Sequence, residues 1–215
     1  MDSKPKTRRY KKLNPDRILD AALEIAESHG WTNVRMNHLA TYFDTSLVDL
    51  YDHYQDMNSI ADDWFARGLA NMLALPNEGF ANRPAKERLF SVITSWLDFL
   101  AMHHQVSAQM ISQKLYLFHP QHWVPMISSL SRLVNWVLDA AMINSYGRQR
   151  KLEEIGTTLI ILATLRVWVD DDSESQSKTR IFLRQRLDQA DKVTRLMLTK
   201  CQPNTMKNPI ENKAN

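Results

Sequence analysis

The sequence predicts an all-α protein, a small N-terminal domain of three helices followed by a larger helical domain. Three observations carry this. Apolar residues recur at helical spacing through almost the whole chain. Only five of the 215 residues are Gly, few for a protein built on tight β-turns. The clearest break, LPNEGFANRP at 75–84, gathers Pro, Gly and Asn in one place.

Each element has its own signal. NPDRILDAALEIAESHG opens with Asn14 as N-cap and Pro15 at the first helical position, stripes Ile18, Ala22, Ile25 and Ala26 inward, and stops at Gly30. MNHLATYF is a short second helix with Met36, Leu39, Ala40 and Phe43 inward, and SLVDLYDHY is a third. Asp56 caps a fourth over about 57–75, with Ile60, Trp64 and Met72 inward. After the break, Leu89, Val92, Ile93, Trp96, Phe99 and Leu100 stripe a fifth helix, and a shorter one covers about 106–117. FHPQHWVP interrupts the chain. The helix over about 126–144 is apolar on two stripes, Ile127, Leu130, Val134, Val137, Ala141 and Leu133, Trp136, Ala140, Ile143, so it lies centrally or lines a cavity. NSYGRQR ends it, and helices over 152–169 and 175–200 complete the body. Ser173 with Gln176 has the spacing of a capping box for the last helix, and Asp171 and Asp172 suit its dipole. The tail 201–215 is polar and expected to be disordered.

Charge is distributed unevenly. Residues 1–12 hold Lys4, Lys6, Arg8, Arg9, Lys11 and Lys12 against Asp2, a net of +5. Residues 13–60 hold Arg17 and Arg35 against eight acidic residues, a net of −6, and residues 178–200 return to +5. One cysteine, Cys201, excludes an internal disulfide and a multi-cysteine zinc site. The basic N-terminus lacks the apolar stretch of a secretory signal, and no run reaches the roughly 18 apolar residues of a membrane span. A cytoplasmic protein is expected. There is no P-loop, GxSxG or GxGxxG. His119-x-x-His122, even with His103 and His104, has Pro120 in its loop and no acidic ligand nearby, so neither metal, cofactor nor enzymatic activity is expected.

The spacing helix, short helix, tight turn, short helix over 18–60 is that of a helix-turn-helix, whose second short helix enters the major groove of DNA. The residues ILDAALEIAESHGW and MNHLATYFDTSLVDLYDHYQDMNSI resemble the N-terminal domain of the TetR family of transcriptional regulators, through Ala21, Ala22, Gly30, Leu39, Ala40, Ser46, Leu50, Tyr51, His53 and Tyr54. Asp44 stands where that family has Gly at the turn, and Met57 where it has a phosphate-contacting Lys. Ser46 with Asp49 has capping-box spacing, which gives Asp49 a structural reason to be acidic; Asp52 has none and opposes phosphate. The resemblance implies DNA contacts from Arg35, Thr45, Ser46, Leu47, Tyr51, His53 and Tyr54, with the arm Lys4, Lys6, Arg8, Arg9, Lys11 and Lys12 supplying cations.

In the C-terminal part, Trp168, Asp171-Asp172-Ser173 and FLRQRLD resemble the end of the COQ9 family, which shares the fold and binds lipid. That implies the alternative of a lipid- or isoprenoid-binding accessory protein of ubiquinone biosynthesis that binds no DNA. Trp96, Phe99, Met102, Met110, Trp123, Met126 and Trp136 are either core or the lining of a pocket for an apolar or lipid-like ligand. LIILA at 159–163 is apolar on every side and suits a homodimer interface through Leu159, Ile160, Leu162, Leu183 and Leu187. The reading is therefore a TetR-like, ligand-responsive regulator of the repressor type, with an arm at 1–12, a helix-turn-helix domain at 13–65 and a ligand-binding and dimerisation domain at 66–200, acting as a homodimer on a palindromic operator in double-stranded DNA.

Overall fold

The computed structural model describes residues 13–75, 78–115 and 123–200, with their side chains except at 115, 123–129 and 196–200. The arm 1–12, the tail 201–215, His119 and His122 lie outside the described residues, as do the side chains of Trp123 and Met126. Among the described residues there is no strand. The helices are α1 Pro15–His29, α2 Met36–Phe43, α3 Leu47–Tyr51, α4 Met57–Leu73, α5 Ala85–Leu100, α6 His104–Leu115, α7 Trp123–Ala140, α8 Gly147–Val169 and α9 Ser177–Lys200.

The start and stop signals act as their chemistry requires. The Asn14 side chain accepts from the Arg17 N–H at 2.9 Å, and Pro15 occupies the first turn, where no N–H is needed. Gly30 closes α1 at φ 81, and a Cβ there would stand 3.3 Å from Gln109 Oε1. Glycine is thus needed both for the left-handed backbone and for the close approach of α6. Asp56 and Ser59 form a reciprocal capping box at the head of α4, with Ser59 N to Asp56 Oδ1 at 2.7 Å and Asp56 N to Ser59 Oγ at 3.1 Å.

One core runs through both halves of the protein. The boundary expected at 65/66 falls inside α4, which packs on α1 and, most extensively, on α5. The α4–α5 crossing is close because Gly68 has no side chain: a Cβ there would meet Trp96 and Phe99 at 3.2 Å. Polar contacts tie the N-terminal domain and α4 to the body, among them Lys114 Nζ to Asp62 Oδ1 at 2.6 Å. Trp64 Nε1 donates to Ser107 Oγ at 2.9 Å, and that hydroxyl donates in turn to the Leu100 carbonyl at 2.9 Å, all of it buried. The Trp31 N–H donates to Gln109 Oε1 at 2.6 Å. His103 Nδ1 lies 2.6 Å from Glu27 Oε1. On the far side, α9 is held to α5 by Lys86–Asp188, Arg180–Asp98 and Arg184–Glu87, and the Arg184 guanidinium lies 4.3 Å from the centre of the Phe90 ring.

The junction between α8 and α9 departs from the expected cap. Gln176 does not return to Ser173; its side-chain oxygen accepts from Trp168 Nε1 at 3.2 Å. Ser173 Oγ accepts the Lys178 N–H at 3.2 Å, and Asp171 does the rest of the capping. It is buried and accepts from the backbone and hydroxyl of Thr179 at 2.8 and 2.6 Å, and from the backbone and hydroxyl of Ser173. A carboxylate reaches further than a hydroxyl and takes four donors at once, so it wins the position. Burial alone would push its pKa up, but these bonds from Ser173 and Thr179 outweigh that and hold it at about 2.

The depressed value fixes a pH dependence. Asp171 stabilises the fold fully above its unfolded pKa near 4, and that contribution is lost as pH falls toward about 2. Asp171→Ala should cost about 2–3 kcal/mol at pH 7, and its stability should fall less steeply between pH 5 and pH 2 than the wild type's, as read by urea denaturation at each pH.

Candidate nucleic-acid interface

α2, the turn and α3 make a protruding corner on the N-terminal domain. Asp44 ends α2 in the left-handed region at φ 53 and ψ 49, and the next residue's N–H, Thr45 N, bonds back to the Ala40 carbonyl at 3.0 Å. Asp is among the few residues other than Gly that visit this conformation routinely, which is how the turn forms without a glycine. The chain then enters α3 through a complete capping box. Asp49 N bonds Ser46 Oγ at 3.2 Å, and Ser46 N bonds Asp49 Oδ2 at 3.1 Å. The hydroxyls of Ser46 and Thr45 also donate to Asp49 Oδ2, at 2.7 and 2.8 Å, and these bonds with the backbone bond hold the Asp49 pKa below its ordinary value.

This geometry sorts the residues expected to touch DNA. Thr45 and Ser46 stand at the head of α3, but each spends its one hydroxyl proton on Asp49, so neither offers a donor to phosphate while the box is closed. Arg35 is exposed, yet its Nη1 is folded back onto the carbonyls of Thr32 and Val34 at 2.8 and 3.2 Å. His53 is exposed just beyond the helix. Tyr54 is a correction. It is 6% exposed, and its Oη donates to Asp63 Oδ2 at 2.5 Å and lies 3.2 Å from the Pro15 carbonyl. Burial pushes its phenol pKa up, and Asp63 adds to the effect. The ring fills the core behind α3 and is not available to a ligand.

Apart from the exposed Asp49 carboxylate, what α3 presents outward is largely apolar. Leu47, Val48 and Tyr51 are 54, 70 and 61% exposed, whereas Leu50 is wholly buried. At 100° per residue the three outward side chains fall within one 100° sector of the helix. Val48 is absent from the residues that the sequence singles out; its position directly after Leu47, on a helix whose inward anchor is Leu50, is the signal that identifies it.

α3 is held in place by a relay behind it. Asp63 accepts from Tyr54 and, at 3.1 Å, from Arg67, whose guanidinium also reaches Asp16 of α1 at 2.7 Å. Tyr54→Phe removes the bond to Asp63 while keeping the ring. It should lower stability by about 1.5–3 kcal/mol in urea denaturation, the scale of a hydrogen bond to a charged partner.

Among the described residues, those expected to line an apolar pocket do not form one. Trp96 and Met110 are core residues, and Phe99 stacks on Trp64 with ring centres 4.6 Å apart. Met102 and Trp136 are 68 and 46% exposed. Met102 lies in the tight turn between α5 and α6, and Trp136 on the outer side of α7, although Leu133, Ala140 and Ile143 of the same stripe reach the core. An open cleft of about 570 Å³ lies instead where α6 meets Thr32 and the end of α8, against His104, Ala108, Gln109, Val169 and Asp172. The expected dimer residues also divide. Leu159 is exposed and Leu162 half-buried, but Leu183 and Leu187 are buried in the chain's own core and Ile160 packs against it. The Leu183–Leu187 side of α9 faces inward, and Lys86–Asp188 and Arg180–Asp98 link the helix to α5 beside it.

No protein-family model matches the chain, and no curated protein does. Solved structures do. A TetR transcriptional regulator from Nitrosomonas europaea ATCC 19718 is 35% identical with a TM-score of 0.71, over 82% of this chain and 97% of that one. A TetR transcriptional regulator from Rhodococcus sp. RHA1 is 17% identical with a TM-score of 0.57, over 81% and 93%. The TetR family transcriptional regulator PfmR from Thermus thermophilus is 15% identical with a TM-score of 0.53, over 82% and 96%. The last two show a shared fold. The first goes further, because more than a third of the residues are the same over nearly the whole of that protein, and the COQ9 alternative finds no support beside it. With its helix-turn-helix corner and its helical body, the chain belongs to the TetR family of transcriptional regulators.

Proposed function

We propose that the protein is a dimeric, ligand-responsive transcriptional regulator that binds double-stranded DNA through α3. The observation that carries this is the construction of α3: a five-residue helix with its inward side fixed by Leu50 and its outward side open and protruding. Nothing in the core needs such a corner; a groove does.

The electrostatics place a condition on this reading. Residues 13–60 carry a net of −6, and Asp52 is exposed at the end of α3. Phosphate neutralisation supplies most DNA affinity, so the cations have to come from the arm, whose net charge is +5 and which leads directly into α1. Backbone contacts position a protein on DNA and base contacts specify the sequence. The division of labour is then α3 over base edges, with Lys4, Lys6, Arg8, Arg9, Lys11 and Lys12 along the phosphates.

A second copy of the chain is the natural partner of α8. Leu152, Ile155 and Leu159 recur at i, i+3 and i+7 and are 61, 60 and 62% exposed. Thr157, Ile161, Thr164, Leu165 and Trp168 face the core from the opposite side of the same helix. A helix apolar on both sides has two apolar surfaces to cover, and among the described residues only one is covered within the chain. On α9, Ile181 and Val193 are likewise exposed. Two reading helices brought together in this way address a two-fold symmetric operator. The effector reading, a small ligand held by the helical body, is supported by the open cleft of about 570 Å³ against His104, Ala108 and Val169.

Two measurements test this. In fluorescence anisotropy against genomic fragments flanking the gene, deletion of residues 1–12 should nearly abolish binding at physiological salt. It should also lower the log–log salt slope by about 0.9 for each phosphate that the arm neutralises. Asp52→Asn should tighten binding about threefold at low salt, in keeping with the value of one exposed charge interaction. In sedimentation at micromolar concentration the wild type should have the mass of two chains and Ile155→Asp that of one, with helical content unchanged; a wild-type mass of one chain would overturn the dimer.

A further inference from the structure

DNA-reading helices usually identify bases with long polar side chains: Arg or Lys on guanine, Asn or Gln on adenine. α3 and its flanks have none of these from Phe43 to Tyr54. Of the hydroxyls that could replace them, those of Thr45 and Ser46 donate to Asp49, which leaves the one at the tip of the Tyr51 ring. Beside the exposed carboxylates of Asp49 and Asp52 and the His53 ring, what faces outward is Leu47, Val48 and the Tyr51 ring, the most exposed side chains of the helix with apolar character. The major groove offers one apolar feature to such a surface, the 5-methyl group of thymine.

We propose that this regulator recognises its operator chiefly through thymine methyl groups, packed against Leu47, Val48 and the Tyr51 ring. This rests on the DNA-binding reading above and specifies its sequence readout. An exposed Val or Leu set against a cytosine amino group or a guanine carbonyl leaves a polar base edge desolvated without a partner, which is unfavourable. Set against a thymine methyl, it buries apolar surface on both sides. The same surface therefore attracts T·A pairs and repels G·C pairs at the positions it covers. Asp49 contributes indirectly: by holding the Thr45 and Ser46 hydroxyls it removes competing polar contacts and keeps α3 at a fixed angle.

The probe is DNA recovered by repeated selection from a random 30-base-pair pool with the full-length protein at low salt. Thymines in the recovered half-site are replaced by deoxyuridine, which lacks only the 5-methyl group. Each replacement under α3 should weaken binding about fourfold, the value of burying one methyl group, and the loss should multiply across the two half-sites. In Val48→Ala, whose side chain is exposed and whose fold should be unaffected, deoxyuridine at the position facing residue 48 should cost less than about twofold. Wild-type affinity indifferent to deoxyuridine but reduced by 7-deazaguanine would overturn the proposal and leave DNA binding standing. Failure to recover any bound DNA from the pool would overturn the DNA reading itself, and this readout with it.

Discussion

The functional corner of this protein depends on a single carboxylate. A helix of five residues is far below the length at which helices hold themselves in water. α3 exists because Asp49 closes its first turn, taking the Ser46 backbone N–H and two hydroxyls on one oxygen, while Leu50 anchors it to the core. The Tyr54–Asp63–Arg67–Asp16 relay then fixes its far end against α1 and α4. The acidic residues of the domain are thus not all of one kind. Asp49, Asp63 and Asp16 build the corner, and Asp56 starts the next helix, so much of the charge that opposes DNA is spent on shape.

That distinction explains why an acidic head and a basic arm coexist. A domain that makes its reading helix from carboxylate-capped turns gives up cations near the groove and has to recover affinity elsewhere. The arm is the neighbouring segment with enough positive charge to do so. The same constraint favours an apolar readout, since the polar groups closest to the bases are already engaged with each other.

Much of this is legible in the sequence. Asn14-Pro15, Gly30, Ser46 with Asp49, and Asp56 each mark a helix end within a residue or so of where it falls, because caps act locally and their chemistry is written in adjacent residues. Long-range partners are not. Tyr54 is assigned to DNA by the family resemblance, and only the folded chain brings it to Asp63 and Pro15. Leu183 and Leu187 have the spacing of an interface stripe, but that side of α9 is buried in the chain's own core against elements distant in sequence. Gln176 and Asp171 both lie within reach of the last cap; burial and geometry select Asp171. For Trp136 on the exposed side of α7, helical periodicity alone gives no means of telling a second core face from an outer one.

Whether α3 lies against base edges while the arm does not is tested most directly by photocrosslinking. Operator DNA carrying 5-bromodeoxyuridine in place of thymine is irradiated with the full-length protein, and the attached peptide is located by mass spectrometry. Crosslinks should fall within residues 47–51, with Tyr51 prominent. Crosslinks confined to residues 1–12, with none in α3, would contradict this placement.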